Sequence, residues 1–197
     1  SALLDRSGSI VWSCLPRFDG DAVFHALLGQ GAAGPGRGRW NIELDGQERA
    51  EQEYLGNTAI LATRLFASDG SAVEIVDFCP RFETLGRMFR PQMLVRRVRP
   101  LRGHPRIRIV LQPRFDAGRV APTLSRGSHH LRFHGPQTTL RVTTDAPITY
   151  VQQGGWFSLA EPVSLVLGPD ETLEQAVPEV AREFEEHTAL YWRAWTR

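Results

Sequence analysis

Short strand-like runs follow one another through most of this chain, with almost no helical pattern between them. Each run is rich in β-branched or alternating apolar residues, and turns such as Ser-Asp-Gly-Ser separate the runs. Because parallel strands need long crossover connections, strands this closely spaced favour an antiparallel sandwich or barrel. The predicted strands are 9–15, 39–44, 58–67, 72–78, 92–98, 106–112, 129–134, 138–143, 149–152, 156–159 and 163–167.

The run Arg-Ile-Arg-Ile-Val-Leu-Gln at 106–112 shows the expected alternation most clearly. Ile107 and Ile109 point to one side of the strand, whereas Arg106 and Arg108 point to the other. This pattern is typical of a sheet with one face in the core and one face in water.

Two segments have helical character. The first lies at 19–29, where Asp19 or Asp21 can cap a short helix that ends at Gly29. The second begins after Gly168, so the chain divides into a β domain at 1–168 and a helix at 169–197.

Apolar residues recur at helical spacing along the second segment, from Val180 and Phe184 to His187 or Thr188, Tyr191 and Trp195. Pro178 stands where a first helical turn tolerates proline. Two interpretations stay open, because the helix either packs back on the sandwich or leads into a further domain.

The tetrapeptide Pro-Arg-Phe-Asp occurs at 16–19 and 113–116, and Pro-Arg-Phe-Glu occurs at 80–83. Each copy follows a predicted strand. Proline has no N–H for a strand ladder, so it ends the pairing there. We predict that the three strands end at one rim, where the phenylalanine anchors each turn and the arginine pairs with the acid.

Composition excludes several functions. A net charge of +1 argues against general attraction to nucleic acid, although the arginine-rich stretch 81–119 leaves phosphate binding as a weaker alternative. The chain has no lysine, which excludes Schiff-base and phosphate-loop lysine chemistry, including at the glycine-rich loop 29–38. No apolar run approaches the roughly 20 residues that span a bilayer, so we expect a cytoplasmic protein without membrane contact.

No metal or cofactor site is predicted. His130 and His134 share one face of a strand but lie about 13 Å apart, too far for one metal ion. Cys14 and Cys79 each precede a Pro-Arg-Phe segment, and we expect buried free thiols rather than a disulfide. Whether the two thiols lie close together is left open.

Carboxylates near strand ends are the remaining catalytic candidates, at Asp19, Asp77, Glu83 and Asp116. Two such groups form the acid and base of a glycosidase. However, pairing with arginine lowers a carboxyl pKa, which is unsuitable for a general acid. We therefore favour a structural role for these acids.

The stretch DRSGSIVWSCLPRFDGDAVFHALLG at 5–29 resembles the opening of bacterial glucoamylase and trehalase-like proteins of glycoside hydrolase family fifteen. Later stretches resemble the same family in the same order. They are GRW at 38–40, the run at 53–80, LVRRVRPLRG at 94–103, LQPRFDAGR at 111–119 and ALYWRAW at 189–195.

The resemblance implies an N-terminal antiparallel β super-sandwich, a linker helix and a C-terminal (α/α)6 barrel. In the family, the barrel carries the catalytic acid and base and hydrolyses α-glucosidic bonds with inversion. This chain resembles only the sandwich and the start of the linker, so no catalytic residue is carried over and no cofactor is implied. The expected partners are the barrel and an α-glucoside.

In such a protein the rim would face the barrel. We hypothesise that six residues border the substrate pocket or the barrel: Trp12, Arg17, Asp19, Trp40, Arg114 and Asp116. The alternative, which the sequence favours, is that they are plain core and ion-pair residues. A stand-alone carbohydrate-binding or interaction module is the second hypothesis for the whole chain.

Overall fold

The computed structural model describes residues 1–28 and 38–196 of the chain. The strands are β1 (Ala2–Leu4), β2 (Ile10–Cys14), β3 (Ala22–Phe24), β4 (Arg39–Leu44), β5 (Gln47–Tyr54), β6 (Leu61–Ala67), β7 (Ala72–Phe78), β8 (Phe82–Thr84), β9 (Arg87–Phe89), β10 (Leu94–Arg102), β11 (Arg106–Gln112), β12 (Thr123–Arg126), β13 (His130–His134), β14 (Thr139–Thr144), β15 (Phe157–Ser158) and β16 (Val163–Pro169). The helices are a 3-10 turn (Ala26–Leu28), α1 (Ile148–Gln153) and α2 (Val177–Trp195). The predicted loop at 29–38 lies outside the described residues except for Gly38.

Two antiparallel sheets and one hairpin contain these strands. The smaller sheet has the order β1-β2-β4-β11-β15, with β3 paired to β2. The larger sheet has the order β12-β13-β14-β16-β10-β7-β6-β5, and β8 pairs with β9. The predicted fold class, mostly β and antiparallel with a C-terminal helix, is confirmed.

The main core lies between the two sheets. Ile107 and Ile109 of β11 are fully buried there, as their alternation predicted, and they meet residues of the larger sheet such as Ile75 and Leu165. The arginines on the other face of β11 extend outwards, where Arg106 pairs with Asp45 at 3.0 Å.

A second apolar cluster lies on the outer face of the larger sheet, under α2. Val76 and Phe78 of β7 contribute to it, together with Val177 and Ala181 of the helix. β7 is therefore buried along its whole length, since its two faces enter two different cores. Burying one valine or phenylalanine side chain contributes about 1.5–3 kcal/mol, so this contact holds α2 on the sheet.

Two predicted elements differ from the structure. Most of the predicted helix at 19–29 is absent from the described part, because Ala22–Phe24 is a fully buried strand and only Ala26–Leu28 forms a helical turn. The predicted strand at 149–152 is helix α1, which begins after Pro147 and ends at Gly154 with a left-handed φ of 62°.

Candidate functional site at the rim of the sandwich

Three strands each end shortly before a Pro-Arg-Phe segment, and the first of these ends lies near the other two, because Cys14 and Cys79 line one cavity and Pro16 and Phe115 line another. β2 ends at Cys14, β7 at Phe78 and β11 at Gln112, in agreement with proline's inability to continue a ladder. We call the three segments, 16–19, 80–83 and 113–116, the rim.

Three cavities lie along the rim. The rim cavity, about 550 Å³, lies between the first and third segments and has Pro16, Arg17, Phe115 and Asp116 in its wall. The thiol cavity, about 410 Å³, shares Pro16 and Arg17 and also contains Cys14 and Cys79. The helix-end cavity, about 460 Å³, contains Cys79, Arg81 and Trp192.

The three phenylalanines of the rim do not play one role. Phe82 and Phe115 are buried, as predicted, and Phe82 packs against Phe89 and Phe184. Phe18, by contrast, is 87% exposed. The prediction that each phenylalanine anchors its turn is therefore wrong for the first copy, whose aromatic ring lies in solvent.

The predicted arginine–acid pairing also holds in one copy only. Arg17 donates to both oxygens of Asp19 at 2.9 and 2.7 Å, and this hydrogen bonding lowers the pKa of Asp19. In the third copy, Asp116 accepts from Arg119 at 2.7 Å instead.

The second copy uses its arginine differently. Arg81 donates to the Tyr191 hydroxyl at 3.1 Å, and its guanidinium lies over the rings of Tyr191 and Trp192. The side-chain hydrogen-bond partner of Arg81 is thus Tyr191 rather than Glu83. The second segment therefore binds the end of α2.

The other predicted site residues have different environments. Trp12 and Arg114 are half-buried, and the Arg114 backbone N–H donates to the Val23 carbonyl at 2.9 Å. Trp40 is completely buried beside Phe24, so its ring is not available to a sugar or another domain. We therefore remove Trp40 from the predicted surface.

Asp77 is one partner of a buried ion pair. It is buried in the wall of the core and accepts from Arg96 on both carboxylate oxygens, at 2.7 and 3.1 Å. Burial raises the pKa of Asp77, while the charge and hydrogen bonds of Arg96 oppose that rise. Asp77 also borders the helix-end cavity, but both of its carboxylate oxygens are held by Arg96, which indicates a structural role.

Residues 1–28 and 38–196 contain no cluster of three or more His, Cys, Asp or Glu residues suited to a metal ion. His130 contacts Arg132 and Arg141, whereas His134 contacts Ser125, so the two histidines have separate partners. Both cysteines are free. No helix of these ranges is long and apolar enough to cross a bilayer.

Comparison with known proteins assigns the fold to a family. The family model described as "Trehalase-like, N-terminal" matches residues 1–163. The chain belongs to this trehalase-like N-terminal family. Curated relatives include Trehalase 1 of Sulfolobus acidocaldarius, 30% identical over 158 residues, and a trehalase of Mycolicibacterium smegmatis, 26% identical over 171 residues. No solved structure gives a significant match.

The trehalase-like N-terminal domain corresponds to a small part of these relatives. The two alignments cover 79% and 75% of this chain but only 25% of each relative. A trehalase of Thermoplasma volcanium, 25% identical, gives the same picture, with 74% and 23% covered. The chain thus spans about a quarter of the length of the curated relatives it matches.

Helix α2 lies beyond the residues matched by the family model, and its two ends differ in burial. Val177 and Ala181 are buried, and the Thr188 hydroxyl accepts from the Arg81 backbone N–H at 3.1 Å. Further along, Leu190 is 62% exposed and Trp195 is 71% exposed. Of the two interpretations left open by the sequence, packing back on the sandwich describes the first turns of α2, whereas its last turns present apolar surface to solvent.

Proposed function

We propose that this chain is the non-catalytic N-terminal domain of a trehalase-like glycoside hydrolase. Its function would be to pack against a catalytic domain, to fix the linker helix and to border one side of the substrate pocket. By family resemblance, the intact protein would hydrolyse an α-glucosidic bond with inversion in an (α/α)6 barrel reached through residues 169–197. This proposal extends to a glucoamylase-like substrate range and to a cytoplasmic location.

One observation carries the proposal: the chain matches a trehalase-like N-terminal family over residues 1–163 and only about a quarter of each curated trehalase. The site supports it. The carboxylates of the rim are exposed or paired with arginine, as in Arg17–Asp19, whereas a general acid needs a raised pKa. The rim is therefore better suited to form a contact with a neighbouring domain than to supply a general acid.

The proposed docking surface combines the rim with the end of α2. Phe18 and Trp195 expose large aromatic surfaces, and Trp192 lines the helix-end cavity with Arg81. Aromatic residues and arginine are enriched at the centres of protein interfaces. This surface is therefore suited to a partner surface that is mainly apolar and carries hydrogen-bond acceptors opposite the arginine.

The first test is the reading frame that encodes the chain. The proposal requires it to continue beyond Arg197 into a domain of repeated helices that contains paired glutamates. A stop codon shortly after Arg197 would contradict it and would favour a stand-alone carbohydrate-binding or interaction module.

The second test uses the complete encoded protein. We expect Phe18→Ala and Trp195→Ala to lower kcat/KM or the temperature at which activity is lost. Leu101→Ala is the matched control, because Leu101 is 47% exposed but lies at the far end of β10, about 23 Å from Leu94. Equal effects of the three substitutions would contradict the proposed surface.

A further inference from the structure

The lining of the rim cavity is both apolar and polar. Val23, Phe115 and Pro136 supply apolar surface, whereas Asp21, Asp116 and Gln137 supply polar groups. Its volume of about 550 Å³ lies within the range of about 300–1,000 Å³ that is typical of small-molecule sites. The cavity is open to solvent and is formed by this domain alone.

The charges around the cavity select against anions. Arg17 is bound to Asp19 at 2.7 Å, and Arg119 is bound to Asp116 at 2.7 Å. Asp21 forms no ion pair with any other described residue, although its charge acts on Arg119. Among the described lining residues, Arg17 is the one cationic side chain and is bound to Asp19, while Asp21 and Asp116 add hydrogen-bond acceptors. This lining suits a neutral ligand with many hydroxyl donors.

The backbone beside the cavity is held in an uncommon conformation. Asp116 and Ala117 have φ values of 52° and 50°, and Gly118 follows at 89°. Phe115 and Val120 bridge the two ends of this turn through hydrogen bonds of 2.9 and 3.0 Å. Left-handed conformations at non-glycine residues are strained and cluster at functional sites.

The turn also fixes the carboxylate of Asp116. Arg119 holds one carboxylate oxygen, and the Arg119 backbone N–H donates to the Asp116 carbonyl at 3.1 Å. A methyl group at Gly118 would lie 2.3 Å from the His25 ring. The turn therefore packs closely against His25, the residue that follows β3. An acceptor that is already ordered loses less entropy on binding, which favours recognition.

We infer that the rim cavity binds a neutral saccharide, with Asp21, Asp116 and Gln137 bonding its hydroxyl groups and the apolar lining residues Phe115 and Pro136 contacting the C–H face of a sugar ring. Sugars combine these two chemistries, since each ring has an apolar face and a hydroxylated edge. The lining residues all belong to this domain, so the purified chain can be tested for binding. The inference rests on the proposed function, because the cavity lies at the rim that would border the substrate pocket, and it names the class of ligand that would bind there.

Isothermal titration of the purified chain with trehalose, maltose and maltotetraose tests the inference. We expect saturable binding of at least one saccharide, and at least tenfold weaker binding by Asp21→Asn and by Asp116→Asn. Asp45→Asn is the matched control, because Asp45 is an exposed carboxylate that is also ion-paired, to Arg106, and lies outside the cavity. Circular dichroism confirms that each variant is folded.

The outcomes separate clearly. Binding that is lost in the two cavity variants but kept in Asp45→Asn supports the site. The absence of saccharide binding, equal binding by all variants, or binding of inorganic phosphate in place of sugars would overturn it. None of these results changes the reading-frame test, so failure of the saccharide site and failure of the packing function are distinguishable.

Discussion

Arg96 is fully buried and donates two hydrogen bonds to the carboxylate of Asp77. The same guanidinium donates to the Trp40 carbonyl at 2.8 Å and to the Gly8 carbonyl. Asp77 and Arg96 belong to neighbouring strands of the larger sheet, whereas Trp40 lies in the smaller one. One side chain therefore joins the two layers of the sandwich.

Removing one partner of this pair is expected to destabilise the chain strongly. We predict that Arg96→Met and Asp77→Leu each lower the free energy of unfolding by about 3–5 kcal/mol, because each leaves a buried charge without its partner. Urea unfolding measures the change. The control is Arg106→Met, which breaks an exposed ion pair and should cost about 0–1 kcal/mol.

The double variant tests the cause. Arg96→Met combined with Asp77→Leu removes both charges, so we expect a loss smaller than the sum of the two single losses. Strict additivity would show that the two groups act independently, contrary to the structure.

Gly38 is expected to tolerate no side chain. A methyl group there would lie 2.2 Å from the Val23 carbonyl oxygen, which is backbone and cannot rotate away. We predict that Gly38→Ala lowers the free energy of unfolding by about 1–3 kcal/mol. Gly56→Ala, with no atom within 4 Å of the new methyl, should change it by less than about 0.5 kcal/mol. Thermal unfolding of both variants measures the difference.

Acid is expected to destabilise the fold through His130. Arg132 lies 2.7 Å from Nε2 of this ring and Arg141 lies 3.3 Å from Nδ1, with Asp170 and His129 nearby. Burial first, and then the charges of Arg141 and Arg132, lower the pKa of His130. Its folded pKa therefore lies below the unfolded value of about 6.5.

The sign of this effect follows from proton linkage. Between the two pKa values the unfolded chain binds more protons, so the stability is present above about pH 6.5 and is lost as the pH falls. We predict a smaller decrease in melting temperature between pH 7.5 and 5.5 for His130→Gln than for the unaltered chain. His104→Gln, which removes an exposed histidine, is the control. Identical pH profiles for all three proteins would count against the prediction.

We expect the purified chain to release no glucose from trehalose or from malto-oligosaccharides. The two carboxylates of the rim cavity are exposed, and Asp116 is bound to Arg119, so neither has the desolvated environment of a general acid. A coupled glucose assay measures the rate. Release proportional to the protein concentration, and abolished by Asp116→Asn, would contradict a non-catalytic role.

The strand bounds were predicted best where an apolar pattern and flanking turn residues indicate the same limits. The bounds of β4, β7 and β11 were predicted to the residue, because apolar residues of these segments enter the core and turn residues end them. β5 was missed because its sequence, QERAEQEY, is almost entirely polar. Its strand conformation comes from pairing with β6, where Glu53 meets Arg64 at 2.7 Å, and this contact is not visible in the local sequence.

The rim was predicted less completely than the fold. Proline marked where the strands end, but the four shared residue types did not determine shared contacts. Phe18 is exposed while Phe115 is buried, and Asp116 binds Arg119 rather than Arg114. These differences arise from neighbours distant in sequence, as when Tyr191 of α2 captures Arg81. No local sequence pattern predicted that Phe18 is exposed or that the thiol cavity lies beside it.

The cover that α2 provides over the larger sheet has a practical consequence. A fragment cut at residue 168, where the sequence suggests a boundary, would leave Val76, Phe78 and Val95 facing water. A cut at residue 163, where the family match ends, would also remove β16. Such a fragment should self-associate, since a large exposed apolar patch on a sheet promotes aggregation. The smallest unit that can be handled in solution therefore runs through the first turns of the helix, and the folding boundary lies later than the homology boundary.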